Sequence, residues 1–175
     1  MAELEIHHEH GHEEDPFGRT IGIMASLLAV LLAIVTILSH RAHTEGVLLK
    51  TDANDKWSQY QASRIKFHNL ELGEDILNSL PSRTEAANKI LERYEKNKDR
   101  YGDEGKDIMK DAQGLEKKTE VLEDRALKYD LGEGLLEIGL ILTSLYFISK
   151  SKMFPAVGLI ASIGGIAMAL LGLMM

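Results

Sequence analysis

The 175 residues carry a formal net charge of −7 and a pI near 5.5, with no basic face concentrated enough to hold phosphates, which excludes nucleic acid as the main partner. The absence of cysteine excludes disulfides, thiolate metal sites and a cysteine nucleophile. The region 40–130 holds 17 of the 20 Lys and Arg residues and 19 of the 27 acidic ones. Two apolar blocks flank it, a division that fits membrane spans plus a polar extension rather than one globular core.

Residues 1–18 (MAELEIHHEHGHEEDPFG) combine six acidic residues with four histidines. Their composition is that of a solvated, disordered tail with too little apolar surface to bury. A second reading is metal capture: His7, His8, His10 and His12 are close enough in sequence to share a divalent ion such as Zn²⁺, Cu²⁺ or Ni²⁺, with Glu9 assisting. No other cofactor is expected. The first apolar stretch, Ile21–Leu38, contains no charge over eighteen residues, and a helix of that length is about 27 Å long, close to the hydrocarbon thickness of a bilayer. It exceeds a usual signal core and no Ala-x-Ala-like site follows it, so transmembrane helix 1 (19–39) is expected to be a retained anchor. Gly22, Ser26, Ala29, Ala33 and Thr36 recur along it at spacings of 4, 3, 4 and 3, a stripe of small side chains on one helix face.

The polar region 40–130 reads as two helical arms joined at 80–82. In the first arm Leu49, Ala53, Trp57, Tyr60, Phe67 and Leu70 fall near one helical face, and His68 flanks it. Leu80–Pro81–Ser82 breaks the pattern, because proline disfavours helix at the residue before it. Ser82–Arg83–Thr84–Glu85 matches a capping box in which Ser82 accepts from the Glu85 amide. The second arm carries a heptad seam of Ala87, Leu91, Tyr94, Tyr101, Ile108, Ala112, Leu115, Thr119, Leu122, Ala126 and Tyr129, with Lys98 and Gly105 in the same register. Between Ile108 and Tyr129 the spacing never slips, which predicts coiled-coil packing of the two arms as an antiparallel hairpin. At about 1.5 Å per residue such a hairpin projects roughly 60 Å. Gly102, Gly105 and Gly114 weaken the helix by about 1 kcal/mol each relative to Ala, and a bend or fraying is expected near Gly102–Gly105. The remaining charges, mixed in sign, are expected to form a solvated face.

Transmembrane helix 2 (131–150) has its apolar part at Leu135–Ser149, carries Glu137, and is expected to continue from the second arm through Gly132 and Gly134. Transmembrane helix 3 (153–175) opens with Pro155, suited to a first helical turn. Gly158, Ser162, Gly165, Ala169 and Gly172 repeat the 4-3-4-3 spacing. With three spans the first and third run parallel, so their two stripes are expected to face each other within or between subunits. Where the first span ends and the second begins, His40, Arg41 and His43 meet Asp130, Glu133 and Glu137 at one face of the bilayer. These six residues suggest a juxtamembrane polar cluster that anchors the helix bases, or binds a cation or relays protons.

The segment Ala53-Asn54-Asp55-Lys56-Trp57-Ser58-Gln59-Tyr60-Gln61-Ala62, together with the His/Glu-rich start and the paired C-terminal spans, resembles a bacterial membrane-protein family known as domain of unknown function 4337. The resemblance covers nearly the whole chain. It implies a multi-span protein of the bacterial inner membrane and no assigned activity. Trp57 and Tyr60 are expected to form a packing node against the second arm, between Leu115 and Leu122.

No phosphate-cradling glycine loop, His-Glu-x-x-His run or Gly-x-Ser-x-Gly elbow occurs, and an enzyme is not expected. The fold class expected is all-α: three transmembrane helices and a long antiparallel coiled-coil hairpin. The function expected is a non-enzymatic membrane scaffold, a homo-oligomer assembled through its small-residue faces and presenting the hairpin to a protein partner. The alternative is an ion conduit or transporter accessory subunit using Glu133 and Glu137, and a third reading is a metal-binding tail protein. Lys150, Lys152 and Arg19 on one side, against Arg41, Lys50, Arg125 and Lys128 on the other, tilt the N-terminus towards the cytoplasm and the hairpin towards the periplasm.

Overall fold

The computed structural model describes residues 15–82 and 84–175. Among them the chain is helical, with α1 at Pro16–Asn78, α2 at Glu85–Ser144, α3 at Tyr146–Ser149 and α4 at Met153–Leu173. No described residue lies in a strand. Three helices are long and apolar enough to cross a membrane: α1, the run from Glu85 to Ser149, and α4.

The helix ends follow local chemistry. Asp15 caps α1, its Oδ1 accepting from the Gly18 N–H at 2.7 Å, and Pro16 takes the first helical position, where a missing N–H leaves nothing unsatisfied. At the far end the Ser79 hydroxyl donates to the Ile76 carbonyl at 2.7 Å, just before Leu80 and Pro81 stop the helix. The cap of α2 is Thr84, whose Oγ1 accepts from the Ala87 N–H at 3.2 Å. This corrects the expected Ser82 box. Three residues after Thr84 comes Ala87, the first buried member of the second-arm seam, so the helix begins where burial begins.

Helix α2 runs unbroken through Gly102, Gly105 and Gly114, so the expected fraying does not occur. Its end is at Ser144, where the Leu145 N–H is shared between the Ile141 and Leu142 carbonyls at 3.1 and 3.2 Å. One further turn, α3, closes on Lys150, which adopts the left-handed conformation (φ 56°) and returns its N–H to the Tyr146 carbonyl at 2.8 Å. That conformation costs an L-residue about 1 kcal/mol, and it turns the chain into α4, whose Pro155 lies in the first turn.

The described residues divide into two compact units, one within Met1–Ile37 and Lys128–Met174, the other within Leu38–Leu127 with Met175. In the first, Ile21, Leu28 and Val35 of α1 are buried at seven-residue intervals, along with Leu136 and Thr143 of α2 and Ser162 and Ala169 of α4. The other faces of its helices carry exposed apolar side chains such as Ile34, Ile141 and Ile160. In the second unit the arms run antiparallel. Going up α1 and down α2, Lys50 pairs with Glu123 at 3.3 Å, Trp57 with Glu116 at 2.7 Å, and Ser63 with the Tyr101 carbonyl at 2.9 Å. Lys98 ion-pairs with Glu74 nearest the turn. All named positions of the second-arm seam, Lys98 and Gly105 included, are buried or half-buried, as are all six of the first arm.

Candidate functional site

The tightest contact in the first unit is between α2 and α4. All five small residues of the third apolar stretch, Gly158, Ser162, Gly165, Ala169 and Gly172, are buried. Their partner is α2, at Gly132, Leu136, Gly139 and Thr143. A Cβ built on Gly158 would lie 2.6 Å from both the Gly139 carbonyl oxygen and Thr143 Oγ1, and one on Gly165 would lie 2.7 Å from the Gly132 carbonyl oxygen. Backbones therefore touch directly. In place of a side chain, Gly158 turns a Cα–H towards two oxygens, a weak hydrogen-bonding geometry, and Thr143 Oγ1 is buried with no conventional hydrogen bond. The Ser162 hydroxyl donates to the Gly158 carbonyl at 2.8 Å.

This arrangement corrects the expected pairing of the first and third stripes within a subunit, because the third stripe is occupied by α2. The matching signal in the sequence is Gly132–Leu136–Gly139–Thr143, spaced 4, 3 and 4. On α1, by contrast, Ser26, Ala29 and Ala33 are exposed and Gly22 is half-buried, with the Phe147 ring 3.8 Å from where a Gly22 Cβ would stand. Thr36, at the end of that stripe, donates to Glu133 Oε1 at 2.7 Å.

At one end of the same unit a polar and aromatic latch ties the start of α1 to the turn before α4. The Tyr146 hydroxyl donates to the Asp15 carboxylate, 3.0 Å from Oδ2, and Lys150 Nζ stands 3.4 Å from the same oxygen. Phe17 meets Tyr146 edge-on at 5.1 Å, and the Lys152 ammonium sits 4.9 Å from the centre of the Phe17 ring. The Gly18 N–H, and after it the Tyr146 hydroxyl and the Lys150 charge, hold the Asp15 carboxyl below its ordinary value, while burial works the other way. Sequence reasoning missed this latch; its only local signal is Asp-Pro at a helix start.

The six residues of the expected juxtamembrane cluster divide between the two units: His40, Arg41 and His43 in the second, Asp130, Glu133 and Glu137 in the first. His40, Arg41, His43 and Glu137 are exposed; Asp130 and Glu133 are half-buried. Among the described residues no group of three or more His, Asp or Glu side chains is disposed to hold a metal ion. His7, His8, His10 and His12 lie outside the described residues.

In the hairpin unit the Trp57 indole N–H donates to Glu116 Oε1, and its ring meets Tyr60 edge-on at 5.6 Å. Tyr60 does not reach the expected Leu115–Leu122 stretch. Its ring approaches Gly105, 3.8 Å from where a Cβ there would stand, because the antiparallel arms place each successive residue of α1 against an earlier one of α2. Tyr60, Phe67, Gly102 and Gly105 line an open cleft of about 440 Å³. Cations at its rim are already engaged: Lys106 with Asp103 at 2.9 Å, Arg64 with His68 at 3.0 Å and with the Phe67 ring. His68 also meets Glu71 at 3.0 Å. Contact with Glu74 raises the Lys98 pKa.

The sequence of this chain matches a family model described as Domain of unknown function (DUF4337) over residues 17–175. The chain belongs to that family. The matched region takes in both units, the glycine contact and the Trp57 segment, and the family description assigns no activity to them. No curated protein and no solved structure matches the chain.

Proposed function

We propose that this protein is a non-enzymatic, multi-pass membrane scaffold that self-assembles through the small-residue face of its first span and carries a coiled-coil hairpin for a protein partner. The observation that carries the proposal is the exposure of Ser26, Ala29 and Ala33 on a unit whose other small-residue stripe is already consumed internally. In lipid there is little hydrophobic drive between helices, so close backbone approach is what joins them, and an unused small face is the surface suited to a second copy. The outward apolar side chains of the same unit suit lipid as solvent. Glu137, exposed one turn from Glu133, gains from cover by a neighbouring copy, since a carboxylate facing hydrocarbon costs roughly 3 kcal/mol at mid-bilayer and part of that near the interface where Glu137 lies. The family resemblance supports the bacterial inner membrane, and Lys150 and Lys152 favour the cytoplasmic side for the turn they flank.

The test is oligomeric state in nanodiscs or mild detergent. The wild type is expected to be a defined oligomer, and Ala29→Ile or Ala33→Ile to shift it to smaller species with helicity intact. An oligomer untouched by both substitutions overturns the span-mediated assembly.

A further inference from the structure

Helix α1 has two apolar faces in its hairpin portion, and the chain uses one. The inner face, with Ser63 4% exposed, meets the second arm. On the opposite side Ala62, Ile65, Asn69, Leu72 and Ile76 follow one another at spacings of 3, 4, 3 and 4. All five are exposed, with Ile65 at 61%, Leu72 at 58% and Ile76 at 55%. The second arm has no counterpart: between Glu85 and Glu120 no described large apolar residue is exposed.

We propose that this outer stripe is a parallel coiled-coil seam that takes a second copy of the same chain. The spacing assigns Ala62, Asn69 and Ile76 to a positions and Ile65 and Leu72 to d positions. Asn69 at a fixes the register, because in-register copies place asparagine against asparagine, and Ile76 at a with Leu72 at d favours a two-stranded pair, while Ile65 at d alone departs from that pattern. The flanks are electrostatically compatible with a like copy. In the parallel register Gln61 stands opposite Lys66 and His68 opposite Gly73, so no like charges meet. The parallel direction rests on the membrane-scaffold reading above, since copies inserted in one bilayer with one topology point the same way.

The absence of cysteine from the sequence makes disulfide cross-linking of the full chain in membranes the direct test. Ile65→Cys and Leu72→Cys are expected to give disulfide-linked dimers several-fold above Glu92→Cys on the exposed face of the second arm. Adding Ile76→Asp, at an exposed position, is expected to abolish the cross-link of Leu72→Cys without loss of helicity. Asn69→Leu is expected to shift the dimer towards larger assemblies. Cross-linking no better than the Glu92→Cys control overturns the proposal, as does capture of a different protein at those positions. A stable oligomer whose seam cysteines fail to cross-link overturns the seam and leaves span association standing. Seam cross-linking in a chain whose oligomeric state ignores Ala29→Ile and Ala33→Ile supports the seam and overturns the span reading.

Discussion

Helix α2 packs against a neighbour twice, and the two contacts are built differently. In its hairpin half, partners meet through side chains: Trp57 on Glu116, Ser63 on the Tyr101 carbonyl, Lys56 on Asp111 at 3.2 Å. In its C-terminal half, Gly132 and Gly139 bring backbone against the backbone of Gly158, Ser162 and Gly165. Water rewards burying apolar side chains and tolerates charges at their rim. Lipid offers no such reward, and what remains is close packing and Cα–H contacts that only small residues permit. One helix therefore carries two packing rules, and on the membrane reading proposed above each suits its own solvent.

The largest expected effect breaks the second rule. Gly158→Leu should destabilise the α2–α4 contact by about 3 kcal/mol, read as loss of thermal stability in detergent, whereas Gly134→Ala, where a Cβ meets nothing within 4 Å, should cause no loss. The first rule breaks at Ala112, which is 0% exposed: Ala112→Leu should cost about 2 kcal/mol by overpacking the hairpin, visible in chemical denaturation of the hairpin signal. A change that sharpens the contrast is Gly114→Ala. Its Cβ also meets nothing within 4 Å, so helix propensity alone should raise stability by about 1 kcal/mol.

The smallest effect belongs to the latch at Asp15. Its folded pKa lies below the ordinary 3.8, so its contribution is present above that value and is lost as pH falls through the depressed one. The melting temperature of the wild type should therefore drop more steeply on acidification than that of Asp15→Asn. Equal slopes would remove the latch from the account.

Much of this fold was legible from spacing. The apolar stretches, the stop at Leu80–Pro81 and both hairpin seams follow from periodicities that burial enforces, and the third stripe's five positions are all buried. The partner of that stripe was harder to read. Gly132 and Gly139 sit among Asp130, Glu133 and Glu137, so the polar residues drew attention to a juxtamembrane site, and Leu136 interrupts the run of small side chains. The cap of α2 was ambiguous because Ser82 and Thr84 both suit the role, and tertiary burial of Ala87 decides between them. Tyr60 was displaced from its expected neighbours because local periodicity fixes a face of a helix but not the register of its antiparallel partner.

The proposed division of one chain between two solvents is tested most directly by labelling single cysteines in intact membranes with a membrane-impermeant maleimide. Cysteines at Ile34, Ile141 and Ile163 are predicted to stay unlabelled until the membrane is dissolved, while those at Ser58, Lys96 and Gln113 label freely from one side. Ready labelling at the first three positions, or protection of the second three from both sides, would contradict it.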